Sequence, residues 1–181
     1  IDAFSDNSFL LTCETESFGK GKKDIWLLKI DSNGKIIWEN TFGGKKNDIF
    51  GSTLVYSNNS MFVTGQRAMK NKFSLRSILR INSKKNSPES VVYKSFIARL
   101  NGKGETIWEN DVFEDQKCIT RFMTLSGKNI LIAGQKSTPF NGSGDAWVIA
   151  MNKKGEVIWD ANFGGRGADG GNYAIVTKDG G

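Results

Sequence analysis

No histidine occurs in the 181 residues, and there are only two cysteines. The first absence removes the commonest general base at neutral pH and the commonest side-chain metal ligand. Ser-His and Cys-His nucleophile systems go with it, as do most zinc sites. Two cysteines are too few for a disulfide framework, and nothing in the sequence pairs them. No apolar run is long enough to cross a bilayer as a helix, and no signal-peptide pattern stands at the start. The opening IDAFSDNSFLLT already reads as strand and turn, so the chain is expected to be a piece of something longer. What the sequence does hold is five tryptophans, and they fall in register.

Trp38, Trp108 and Trp159 sit in copies of one phrase: WLLKIDSNGKIIWENTFGG from Trp26, FIARLNGKGETIWENDVF from Phe96 and WVIAMNKKGEVIWDANFGG from Trp147. Trp26 and Trp147 take equivalent places, and Phe96 fills the third. Within the phrase, Ile25–Ile30 is nearly continuous in apolar character, as a strand covered on both faces should be. Asp31-Ser32-Asn33-Gly34 makes a turn, matched by Asn101-Gly102-Lys103-Gly104 and Asn152-Lys153-Lys154-Gly155. Each turn opens on Asp or Asn, which bonds its own backbone, and closes on Gly, which accepts positive φ. Ile36–Phe42 then alternates as a second strand.

Two more strands complete the unit: Phe50–Ser57 with Met61–Gln66, and Ile119–Ser126 with Ile130–Gln135. The latter strands end in VTGQ and IAGQ, and LTCE (Leu11–Glu14) corresponds to them. Cys13 therefore stands where Gly65 and Gly134 do and reads as a small buried residue; Cys118 receives no role. On this frame Ile1 aligns with Thr53, Phe122 and Ala174. A period of about 40–50 residues, all strand and turn, predicts an all-β fold, a β-propeller of four-stranded antiparallel blades. The expected division is residues 1–44, 45–113 and 114–165 as three complete blades, with 166–181 starting a fourth whose first strand and turn are Asn172–Gly181. Three blades and a strand leave two open faces. The chain is thus expected to be a fragment of a larger or multi-chain ring and to self-associate when isolated, with Trp38, Trp108 and Trp159 largely buried between adjacent units.

The pattern Asp24, Trp26, Lys29, Asp31, Gly34, Trp38, Phe42, Gly43, Gly44, Asp48 resembles the β-propeller repeats of secreted bacterial surface proteins. It is similar, more distantly, to the tryptophan-docking repeats of quinoprotein (PQQ-type) propellers. The third unit matches at Asp145, Trp147, Gly155, Trp159, Phe163, Gly164, Gly165 and Asp169. The second departs, with Lys94 in place of the first Asp and Glu114-Asp115 in place of Gly-Gly. In both families these residues are structural. The first resemblance implies a bacterial envelope or extracellular setting and, in most members, no chemistry.

Function divides between two classes. One is a non-catalytic binding or scaffold segment of a surface or secreted protein. The other is a propeller enzyme, quinone-dependent or glycoside-cleaving. A quinoprotein would need a catalytic carboxylate, a calcium site and usually a vicinal cysteine pair; Cys13 and Cys118 are far apart in sequence, and no carboxylate stands out from the repeated ones. A glycosidase needs two facing carboxylates; Glu14, Asp48 and Asp169 are available, but each has a place in the repeat, and Asp at such positions commonly bonds turn backbone. No residue is assigned a catalytic role and no cofactor is expected, although calcium in the Asp-containing loops between units is compatible with their oxygen donors.

Charge singles out one segment. The net charge is +6, yet Arg67–Lys94 alone carries eight bases and one acid, so the remainder is nearly neutral. The same segment is an insertion: 70 residues separate Trp38 from Trp108 and only 51 separate Trp108 from Trp159. Within it Ile78–Asn82 echoes Ile97–Asn101, so 73–82 reads either as a duplicated strand or as a short helix. A run of like charge is usually a solvated loop. The functional alternative is an arm facing an anionic partner, protein or polysaccharide, through Arg76, Arg80, Lys84 and Lys85. Nucleic acid is disfavoured, because no binding motif for it is present. Strand alternation places the insertion at the same end of the blade as Asp48 and Asp169. Gln66, Gln135 and Glu14 share that end and complete the candidate binding face.

Overall fold

The structure, a computed structural model, describes residues 1–57, 59–70, 91–112, 118–137 and 144–178. These residues are all strand, turn and extended chain, with no helix among them. The first sheet holds β1 (Asp2–Ala3), β2 (Phe9–Thr15), β3 (Asp24–Ile30) and β4 (Ile36–Phe42). The second holds β5 (Asp48–Ser57), β6 (Ser60–Lys70), β7 (Val91–Asn101) and β8 (Thr106–Asp111). The third holds β9 (Cys118–Ser126), β10 (Asn129–Ser137), β11 (Gly144–Met151) and β12 (Val157–Phe163). Each is a four-stranded antiparallel meander in chain order.

The turn between third and fourth strands is built identically three times. Asp31 Oδ1 accepts from the N–H groups of Asn33 and Lys35, Asn101 Oδ1 from Lys103 and Glu105, and Asn152 Oδ1 from Lys154 and Glu156. Gly34, Gly104 and Gly155 sit at φ 80°, 78° and 83°, a region costly for any residue with a Cβ. Each fourth strand then re-enters the ladder one residue out of step, at Lys29/Ile30, Arg99/Leu100 and Ala150/Met151.

Alternation sends the two faces of every strand to different neighbours. Leu10, Ile25 and Leu27 of the first sheet pack on Met61, Val63, Phe96, Ala98 and Leu100 of the second. The opposite face of the second sheet, Phe62 and Ile97, packs on Ile130, Ile132, Trp147, Ile149 and Met151 of the third. The place shared by Trp26, Phe96 and Trp147 reports this stacking. Phe96 and Trp147 are fully buried against the preceding sheet, each burial worth roughly 2–3 kcal/mol. Trp26, with no preceding sheet among the described residues, is half-buried and rests on the Phe18 ring at 5.1 Å. First strands of successive sheets lie side by side: Met123 N donates to Ser52 Oγ at 3.1 Å and Thr53 Oγ1 to Asp2 Oδ2 at 2.6 Å.

Three expectations are corrected. Thr53 pairs with Val63 while Met123, not Phe122, pairs with the equivalent Ile132. The β5–β6 hairpin carries an additional irregularity between Val55 and Ser57, so counting back from the second strand slips by one residue. Residues 172–178 form no strand. A first strand needs a second to pair with, and none comes after it among the described residues. The segment lies instead along the third sheet, with Gly171 N donating to Gly134 O at 2.8 Å, Arg121 Nη1 to Asn172 Oδ1 at 2.6 Å, and the Tyr173 ring 4.0 Å from Phe122. Cys13 is half-buried rather than buried, because the β1–β2 ladder reaches only Phe9 and Leu10 and places no first-strand residue across from it.

Candidate functional site at the sheet junctions

The repeated tryptophan joins each sheet to the next. Trp38 Nε1 donates to Gly102 O at 3.0 Å, Asn40 Nδ2 donates to Gly104 O at 2.7 Å, and the ring lies where a Cβ on Gly104 would meet it at 2.8 Å. The Trp108 ring packs on Gly155 in the same way, 2.9 Å from where its Cβ would stand. There Arg99 Nη1 approaches the carbonyl of Lys153 at 3.5 Å, and Trp108 Nε1 is buried without a hydrogen-bond partner. Trp38 and Trp108 are partly buried, each packed against the apolar core of its junction. Trp159, expected to be buried as well, is 47% exposed: among the described residues no turn of a following unit lies over it.

Glu14, Gln66 and Gln135 occupy equivalent ends of β2, β6 and β10, and each clasps the backbone of the next unit. Glu14 Oε1 accepts from Phe50 N at 3.3 Å and its carboxylate pairs with Lys23. The hydrogen bond from Lys23, ahead of the Phe50 N–H and despite partial burial, holds the Glu14 carboxyl below its usual range. Gln66 Nε2 donates to Cys118 O at 3.2 Å and Gln135 Nε2 to Asp169 O at 2.9 Å. Cys118 and Asp169 are the same repeat position, so the clasp is a repeated device. These side chains spend polar atoms inside the chain at the end of the blade that holds the candidate binding face.

Asp48 and Asp169 act on the Gly-Gly loops between units. Asp48 Oδ2 accepts from Gly44 N at 2.6 Å and Asp169 Oδ2 from Gly165 N at 3.0 Å, the turn-stabilising role expected for aspartate. Asp24 and Asp145 are, in the sequence, only parts of the repeat, and here the structure adds something. Asp24 and Asp48 are each 1% exposed, and both crowd Gly43. Burial pushes the Asp48 carboxyl up, opposed by the Gly44 and Ala68 N–H groups and the Arg67 charge and reinforced by the negative Asp24. The D-x-W of one phrase and the Asp after its Phe-Gly-Gly are the available signal, but only the fold shows that they converge.

At the same end, the β6–β7 ladder continues past Gln66–Ser95 through Arg67–Lys94 to Lys70–Val91. Arg67 Nη1 pairs with Glu109 at 2.6 Å and Lys94 Nζ with Asp111 at 3.7 Å, so the bases at the root of the basic segment are already matched by acids. Arg76, Arg80, Lys84 and Lys85 lie outside the described residues, as does the choice between strand and helix over 73–82. The register confirms the shared end, since Asp48 is the cross-strand partner of Arg67.

Among the described residues no group of three or more Asp, Glu, His or Cys is placed to hold a metal. Cys118 is 1% exposed, and burial pushes its thiol up to about 11, so the nucleophilic thiolate is scarce at neutral pH. No helix among these residues is long and apolar enough to cross a membrane. Comparison with known proteins found no matching family model and no matching curated sequence.

Proposed function

We propose that the chain is an arc of a β-propeller serving as a non-catalytic binding scaffold in a bacterial surface or secreted protein. One observation carries the reading. The two filled junctions use the same tryptophan-to-turn contact, and the two ends present its unfilled halves: Trp159 exposed at one, and the Gly34 turn, with nothing near its Cβ position, at the other. Units of the same pattern, in flanking chain or in further copies, complete the ring. A rigid arc of this kind presents loops at its ends, and loops on a rigid scaffold are where binding is usually found. The loop that differs most in charge is 67–94, which emerges where Asp48 and Gln66 lie. Its proposed partner is an anionic polymer, polysaccharide or acidic protein, engaged by Arg76, Arg80, Lys84 and Lys85.

The test is retention on an anionic polysaccharide column for two charge-removed variants. Replacing those four bases with Ser abolishes salt-sensitive retention, while replacing Lys153 and Lys154, in a turn at the opposite end, changes little. Equal loss from both variants means diffuse positive charge only and overturns the binding-arm reading.

A further inference from the structure

We propose that the junction between the first and second sheets is a calcium-sized cation site, formed by the carboxylates of Asp24 and Asp48 with the backbone carbonyls of Gly44 and Lys46. Two carboxylates in van der Waals proximity and removed from water are costly unless something positive or protic joins them. Asp24 Oδ2 is satisfied, accepting from Lys20 N at 2.6 Å and Gly21 N at 3.0 Å, and Asp48 Oδ2 accepts from Gly44 N. Asp24 Oδ1 is buried with no hydrogen-bond partner, and Asp48 Oδ1 is buried without a well-formed one, the Ala68 N–H being the other backbone group that acts on that carboxylate.

The surroundings are oxygen-rich and cleared of side chains. A Cβ on Gly43 would stand 1.7 Å from Asp24 Oδ1 and 2.8 Å from Asp48 Oδ2. A Cβ on Gly21 would stand 2.5 Å from both Gly44 O and Lys46 O, and 3.1 Å from Asp24 Oδ1. Asp24 Oδ1 borders both gaps, with the Asp48 carboxylate beside it on the Gly43 side and the two carbonyls beside it on the Gly21 side. The nearby Arg67 guanidinium is engaged by Glu109. Two carboxylates balance the charge of a divalent ion, and carbonyls with water complete the six to eight oxygens that calcium accepts, whereas magnesium demands a tighter octahedron.

The arrangement recurs in part and is absent once. In the third sheet Asp145 Oδ1 is again buried without a partner, 2.6 Å from where a Gly164 Cβ would be, but its companion Asp169 is exposed. At the second junction the corresponding residues are Lys94 and Cys118. The site therefore belongs to the first junction.

The experiment is thermal melting of the metal-stripped chain in EDTA, in calcium and in magnesium, together with terbium luminescence sensitised by tryptophan. Calcium at about a hundred times its dissociation constant raises the midpoint by roughly 5–10 °C, and magnesium at the same concentration by much less. Terbium emission saturates and is displaced by calcium. Asp24→Asn and Asp48→Asn each keep the melting transition in EDTA and lose both the calcium shift and saturable emission; Asp169→Asn keeps both. Should either Asn variant fail to fold, Gly43→Ala, which intrudes on the same gap, is the second probe and loses the calcium response. No midpoint shift up to ~10 mM calcium, a concentration beyond even weak extracellular calcium modules, overturns the proposal. So does a shift that survives in both Asn variants.

Discussion

At the first junction Asp24 and Asp48 face each other across Gly43, both buried; at the second, the same positions hold Lys94, paired with Asp111, and Cys118, a buried thiol whose carbonyl accepts from Ser95 Oγ and Gln66 Nε2. The tryptophan contact is common to both. Trp38 covers Gly104 and Trp108 covers Gly155 at nearly equal distances. Stacking of the sheets thus depends on the aromatic-to-glycine contact and on the apolar faces beneath it, while the polar end of a junction is free to vary. A pair of buried carboxylates is no requirement of the architecture, which is why it invites a separate explanation.

The largest effect expected tests what the junctions share. Trp108→Ala costs on the order of 3–5 kcal/mol in chemical denaturation, with Trp38→Ala close behind, and Trp159→Ala costs less than about 1 kcal/mol. An equal loss at Trp159 would mean that position in the repeat, not docking, sets the value. Next come the glycines. Gly34→Ala costs roughly 1 kcal/mol, from positive φ alone. Gly104→Ala costs roughly 1 kcal/mol more, because its Cβ also meets the Trp38 ring; identical values would break the docking account.

The third effect belongs to the first junction alone. Burial raises the Asp48 carboxyl above its ordinary value near 3.8, so the folded chain holds that proton more tightly than the unfolded chain. Its stabilising contribution is full below the ordinary value and is lost as pH rises through the raised folded value. In EDTA, the difference in denaturation midpoint between the wild type and Asp48→Asn should therefore shift against the wild type as pH rises from about 4 toward neutrality. A flat difference would place no desolvation cost on Asp48. The smallest effect on stability, and a kinetic one, belongs to the second junction: Cys118, 1% exposed with its thiol near 11, reacts with a thiol reagent at pH 8 roughly a hundredfold slower than an ordinary accessible cysteine. Labelling of Cys118 as fast as Cys13 would show that the second junction opens readily.

Local chemistry makes much of this legible along the chain. Asp31, Asn101 and Asn152, each followed three residues later by glycine, specify three identical turns, and the hairpins form where those turns place them. The place shared by Trp26, Phe96 and Trp147 also comes from alternation, because only one face of each strand meets the preceding sheet. What escapes is irregular or non-local. The additional irregularity before Ser57 leaves no mark in composition, and it shifts Met123 into the place expected for Phe122. Asp24 and Asp48 belong to different units, each explained by its own turn, and nothing along the chain announces that two loops bring them together. Gln66 and Gln135 read as members of a candidate binding face; only the structure shows that their amides reach the next unit's carbonyls.

Gly34 and Trp38, Gly104 and Trp108, Gly155 and Trp159 are each four residues apart in one hairpin. A single hairpin thus carries both a socket for the unit before it and a plug for the unit after it. Duplicating any one unit of the gene copies both halves with the correct polarity, and the new unit couples to its neighbours without a compensating change in either. A stack of sheets coupled in this way is open to adjustment by whole units, while the coupling itself stays constant.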